Sequence, residues 1–123
     1  MKLQNNLYTI TLPPHGRAEE GAFIYTIHLI EDCVIYQAHF PSNPITPGAC
    51  IIQIAQELYE QLCGHSVEIL EVKNAKFLKT IISSPDNRYH YSFRNLSDND
   101  RLQIVVSDDD SIYAKFSLVC KSR

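Results

Sequence analysis

Residues 39–64, HFPSNPITPGACIIQIAQELYEQLCG, set a histidine, a proline-stiffened loop and an apolar helix in immediate succession. Pro41, Pro44 and Pro47 each fix their own φ and push the residue before them out of helical geometry. The backbone leading to Gly48 is therefore stiff and extended. Beyond it, apolar residues at Ile51, Ile52, Ile54, Ala55, Leu58, Tyr59 and Leu62 follow the i, i+3, i+4, i+7 template of a helix with one buried face. Gly64 suits the C′ position that ends a helix.

Working outward, the flanking sequence reads as strands. Leu7 to Leu12 is rich in β-formers, and the cluster Pro13-Pro14-His15-Gly16 predicts that the first strand stops there. Gly21 to Ile30 is nearly continuously apolar, which predicts a second strand covered on both faces. Glu31-Asp32 marks a turn, and Cys33 to Ala38 reads as a strand that delivers His39 to its end. After the helix, Val67 to Ile82 reads as one long or bent strand closed by the turn Ser83-Ser84-Pro85-Asp86-Asn87. Tyr89, Tyr91 and Phe93 alternate with His90, Ser92 and Arg94, so an aromatic face should meet the helix. Polar turns at 97–100 and 107–111 bracket a short strand, Leu102 to Val106. In the last strand Ile112, Ala114, Phe116, Leu118 and Cys120 share a face. One dominant helix packed on an antiparallel sheet makes an α+β architecture.

A length of 123 residues with 45% apolar and 20% charged side chains fits a single domain over 1–123. The net charge of −3 and scattered basic residues give no electrostatic reason to expect nucleic acid. No stretch approaches the roughly 18 apolar residues that span a membrane, and the N-terminus lacks a signal peptide's apolar core, so the expected location is cytoplasmic. The cysteines at 33, 50, 63 and 120 form no CxxC pair and read as reduced thiols. Cys50 falls in the first helical turn, where the dipole can lower a thiol pKa, but free cysteine is most often simply buried and no nucleophile is assigned. Asp108, Asp109 and Asp110 read as a solvated hairpin turn, and no metal is expected.

The chemistry is expected where the loop meets the helix. A helix N-terminus presents unpaired N–H groups and about half a positive charge. Gly48 has no side chain to obstruct a ligand, so the Pro47-Gly48 corner suits an oxyanion or a thioester carbonyl. His39 stands upstream, and histidine is the side chain most readily used as a general base near neutral pH. His15, His28, His65 and His90 have no comparable context.

His39-Phe40-Pro41, then Pro44-Ile45, Pro47-Gly48 and Ala55-Gln56, with Asn74-Ala75-Lys76-Phe77 downstream, resembles the FabZ/FabA-type 3-hydroxyacyl-acyl-carrier-protein dehydratases. The resemblance runs nearly end to end. It implies a hot-dog fold, a long helix wrapped by a curved antiparallel sheet, that forms a homodimer or larger homo-oligomer with sites at the subunit interface. It implies elimination of water from a 3-hydroxyacyl thioester to give the trans-2-enoyl thioester, in fatty-acid-type or polyene lipid biosynthesis. It further implies that His39 takes the α-proton and that Phe40, Pro47 and Gly48 bind substrate. The partner implied is an acyl carrier protein or another acyl thioester, and no organic cofactor is called for.

One position departs from the family. Its helical Glu or Asp falls at Gln53, whose amide can hydrogen-bond to a hydroxyl but cannot protonate it. Glu57 lies one turn on, about 6 Å farther along the axis. Three readings stay open: a dehydratase in which Gln53 orients the hydroxyl or a water, a subunit of a mixed dimer completed by another chain, and a thioester-binding relative without chemistry. A hot-dog thioesterase is a further alternative, distinguished by its free-acid product.

Overall fold

The computed structural model describes residues 2–17, 22–38, 44–96 and 101–123. Its elements are β1 (Tyr8–Arg17), β2 (Ala22–Leu29), α1 (Val34–Ala38), α2 (Gly48–Cys63), β3 (Val67–Phe77), β4 (Tyr89–Leu96), β5 (Arg101–Ser107) and β6 (Ile112–Ser122). The strands form one six-stranded sheet in the order β1-β2-β4-β5-β6-β3, and every pairing is antiparallel. With α2 packed on one face, this is the expected α+β hot-dog fold.

Helix α2 keeps the limits its sequence predicts. Pro47 is its N-cap in extended geometry, and Gly64 at φ 80° ends it by donating its N–H to the Glu60 carbonyl. Only glycine adopts that φ without strain. Ile51, Ile54, Ala55 and Leu58 are buried, and the sheet supplies Tyr25, Ile27, Tyr91, Phe93, Ile104, Phe116 and Leu118 to the same core. Tyr89, Tyr91 and Phe93 do face inward, and the Tyr91 hydroxyl donates to the Ile51 carbonyl at 3.0 Å, tying the sheet's centre to the first turn of α2.

Three local expectations are corrected. β1 does not stop at Leu12 but runs through Pro13-Pro14-His15-Gly16 to Arg17. It is an edge strand, where a missing N–H costs little, and register shifts between Ile10 and Leu12 and between Leu12 and His15 absorb the prolines. The Cys33–Ala38 stretch is not a strand: Val34–Ala38 is the helix α1, with only Tyr36 buried. A run that short and apolar carries no decisive period. β3 ends at Phe77 rather than at Ile82, because the chain turns off as Leu78 and Lys79 donate their N–H groups to the Tyr113 carbonyl.

On the outer face of β2, Ile24 and His28 are only half-buried, and Thr26 and His28 are held by polar contacts, so cover there is partial. Thr26 Oγ1 meets His90 Nδ1 and His28 Nδ1 meets the Asn87 carbonyl, each at 2.9 Å. The polar turn 97–100 lies outside the described residues. No helix among the described residues is long and apolar enough to cross a membrane.

Candidate active site

The segment before α2 is fastened down residue by residue. Thr46 donates its N–H to the Ile81 carbonyl at 2.8 Å, Ser83 donates to the Pro44 carbonyl at 3.0 Å, and Ile45 bridges to Ile82. The Thr46 hydroxyl bonds the Tyr36 hydroxyl at 2.8 Å. Burial pushes the Tyr36 phenol up to about 12, against the opposing pull of its hydrogen bonds to Thr46 and Ser83, so it serves as a neutral strut from α1 to the loop.

Among the described residues no side chain caps the α2 N-terminus, and the Pro47 carbonyl accepts from Cys50 and Ile51 at 3.0 and 3.1 Å. Gly48 and Ala49 are the turn's leading donors, with no earlier helical carbonyl to take them. A methyl group built on Gly48 would lie 3.3 Å from Phe77 Cζ, so the absent side chain is what allows the ring to sit against the helix start. Between them is a cleft of about 240 Å³ lined by Ile45, Thr46, Gly48, Ile51, Phe77 and Ile81, with Lys79 and Thr80 at its rim. Inward, Thr46, Ile51 and Ile81 also border a narrow apolar seam that reaches Ile27, Tyr89, Tyr91 and Val106.

Of the residues expected to act, Gly48 lines this cleft, and Pro47, its neighbour in the chain, is the α2 N-cap. His39 and Phe40 lie outside the described residues. Gln53 is half-buried on α2 and is not a cleft residue of this chain. Its Nε2 donates to Glu57 Oε2 at 3.0 Å. Glu57 is itself 6% exposed and accepts from Leu3 N, Gln4 N and the Tyr8 hydroxyl at 2.8, 2.9 and 3.1 Å. This carboxylate is engaged by the N-terminal turn.

Sequence reasoning missed Phe77 as a cleft wall and Glu57 as a hub. Phe77 belonged to a family-like segment and was read only as strand. No local signal marks a contact between residues 54 apart, such as Leu3 and Glu57. Burial and the neighbouring Cys33 thiol push the Cys50 thiol up, opposite to what a dipole-activated nucleophile requires. Asp108 accepts from Asp110 N, Ser111 N and the Tyr113 hydroxyl, which makes it a hairpin brace. Among the described residues, no group of three His, Cys, Asp or Glu side chains is placed to hold a metal.

Residues 15–117 match the ApeI-like family, described as ApeI dehydratase. No curated relative matches the chain. Among solved structures, the dehydratase heterocomplex ApeI:P from Xenorhabdus doucetiae superposes with a TM-score of 0.73 at 14% identity, covering 91% of this chain and 100% of that one. An uncharacterised protein from Erwinia carotovora subsp. atroseptica gives 0.64 at 12% identity, covering 94% and 95%.

Proposed function

Because the chain belongs to the ApeI-like dehydratase family, we propose that it removes water from a 3-hydroxyacyl thioester carried on an acyl carrier protein, by FabZ/FabA-type chemistry. The observation that carries this reading is the α2 start, uncapped among the described residues, beside the apolar cleft. A thioester carbonyl placed there accepts from the Gly48 N–H, and the helix dipole stabilises the enolate oxygen as it forms. His39 takes the α-proton. The released electron pair forms the C2–C3 double bond as the C3–O bond breaks, and the departing hydroxyl needs one proton to leave as water.

Gln53 cannot supply that proton. In this reading it holds the 3-hydroxyl, and the proton comes from a bound water or from a carboxylate of a second chain. The Xenorhabdus structure is a dehydratase heterocomplex, which supports a mixed dimer, as does the apolar outer edge of β3, where Leu70, Val72 and Phe77 are exposed. A homodimer through the same edge is the simpler assembly.

The test incubates the chain with a 3-hydroxyacyl-carrier-protein thioester and follows the product by mass spectrometry, with His39→Ala alongside. An enoyl thioester formed by wild type and not by the variant is expected. A free acid would establish a thioesterase instead, and an enoyl product undiminished in the variant would remove His39 from the mechanism.

A further inference from the structure

The face of the sheet turned away from α2 gathers positive charge on β3, β6 and β4. Ala114, Phe116 and Leu118 are buried in the core, so the alternation of β6 turns Lys115 and Ser117 to the other side. The register sets Lys76 directly opposite Lys115 and Lys73 opposite Ser117. From Ser117 the row runs on through Gln103 to Arg94. At about 4.8 Å per strand, Arg94 stands roughly 14 Å from Lys73. Lys76, Lys115 and Arg94 are exposed. Neither row, followed from β3 to β4, contains an acidic residue.

Like charges set directly across a ladder repel, and the pair Lys76–Lys115 costs the sheet stability. Nothing in the described fold offsets that cost. Glu71 pairs with Lys73 at 3.6 Å, Asp109 meets His90 at 2.9 Å, and Asp108 accepts from the Tyr113 hydroxyl at 2.7 Å. Lys79, at the cleft rim, donates to Ser111 Oγ at 2.9 Å and lies in the field of Asp108. Among the described residues no ion pair reaches Lys76 or Lys115. The chain as a whole carries a net charge of −3, so this concentration of cations runs against its overall balance.

We infer that Lys76 and Lys115, with Lys73 and Arg94 beside them, form the docking face for an acidic surface of the carrier protein that delivers the thioester. The inference rests on the proposed carrier-borne substrate and adds where the carrier sits. Position supports it as well as charge. Lys76 is the last residue but one of β3, and the next, Phe77, turns its ring to the opposite face as a wall of the cleft. A carrier seated on the lysines therefore stands beside the end of β3, where Lys79 and Thr80 form the cleft rim. Complementary charge of this kind speeds encounter and fixes orientation, and docking relieves the repulsion between the two lysines.

The test uses the double variants Lys76→Gln/Lys115→Gln and Lys76→Glu/Lys115→Glu. Binding of the source organism's apo acyl carrier protein, which lacks the arm and so reads the protein surface alone, is measured at low and high salt. Turnover is followed with the 3-hydroxyacyl group on the carrier and on free pantetheine. The glutamine variant should bind the apo carrier roughly three- to tenfold more weakly, with a smaller salt dependence, and the glutamate variant more weakly still. KM should rise for the carrier-borne substrate and stay unchanged for the pantetheine thioester. The glutamine variant should melt no lower than wild type, since it loses only a repulsion. Apo-carrier binding that is absent in wild type or equal in all three proteins overturns the inference, as does an equal loss with both substrates or a lower melting temperature. Lysine-dependent binding to vesicles of anionic lipid, with carrier binding untouched, assigns the face to a membrane and overturns it too. Lysine-dependent carrier binding without enoyl product from either substrate supports the docking face and overturns the dehydration reading beneath it.

Discussion

Replacing Gln53 by Glu adds the missing acid and at the same time sets it against Glu57. The variant loses a hydrogen bond that now spans 3.0 Å to a carboxylate and puts a second carboxyl in its place. Two like charges about 3 Å apart repel by roughly 5 kcal/mol at an effective dielectric near 20. Holding one proton on a carboxyl of ordinary pKa about 4.3 costs about 1.36 kcal/mol per pH unit, or roughly 4 kcal/mol at pH 7. Protonation costs less than repulsion, so near pH 7 the folded pair holds a proton, and the carboxyl that carries it donates across the gap. The pair's folded pKa is therefore raised above its unfolded value. The sign follows: the penalty is absent below pH 4, grows as pH rises through the unfolded pKa, and levels off above the folded one. Urea unfolding at pH 5 and pH 7 should show the variant roughly 1 and 4 kcal/mol less stable than wild type, respectively. A carboxyl kept protonated near neutrality is also what a general acid needs, and such a group typically contributes 10²–10⁴-fold to rate. A penalty that is independent of pH, or larger in acid, would refute the pairing of the two side chains. Turnover unchanged or lower than a measurable wild-type rate would refute the missing-acid account.

Gly48→Ala should leave stability within about 1 kcal/mol, since Ala is the better helix former and the half-exposed Phe77 ring 3.3 Å away has room to yield, yet raise KM; unchanged kinetics would remove the helix start from substrate binding. Leu58→Ala, at a fully buried position of α2, should cost about 2–5 kcal/mol in denaturant unfolding. Burial first, then Glu57, raises the Tyr8 phenol, and burial raises Tyr91; groups neutral in the fold add stability below the unfolded pKa of about 10 that is lost as pH climbs above it. Tyrosinate absorbance from them should accordingly appear together with unfolding, and a gradual titration near pH 10 with native near-UV circular dichroism would contradict their burial. The Tyr113 hydroxyl bond holds Asp108 below its ordinary value, so Tyr113→Phe should move its NMR-titrated midpoint upward, and an unmoved midpoint would exclude that cause.

The parts of this molecule that were legible in sequence are those set by local chemistry. Pro47, Gly48 and Gly64 bound a helix through φ alone, and the alternation of Tyr89, Tyr91 and Phe93 or of Leu102, Ile104 and Val106 is buried as its period demands. What escaped was decided at a distance. Pro13-Pro14 reads as a strand terminus unless one knows that β1 lies at the sheet edge. Val34–Ala38 takes its helical form where Tyr36 meets Thr46. Of the candidate site, the helix start at Pro47-Gly48 was readable because proline's fixed φ and glycine's missing side chain are local properties. The Gln53–Glu57 pair was not, because its geometry depends on Leu3 and Gln4, which no pattern connects to the helix.

The strand order carries a consequence for how the chain comes off the ribosome. Of the first three strands only β1 and β2 are neighbours; β2 waits for β4, and β3, made midway, pairs with β6, with Val67 opposite Ser122. Helix α2 is therefore synthesised well before the surface that buries it is complete, and at 5–20 residues per second its apolar face stays uncovered for seconds. Nascent chains arrested before residue 112 should engage chaperones that bind apolar segments, and those extended through residue 122 beyond the exit tunnel should release them.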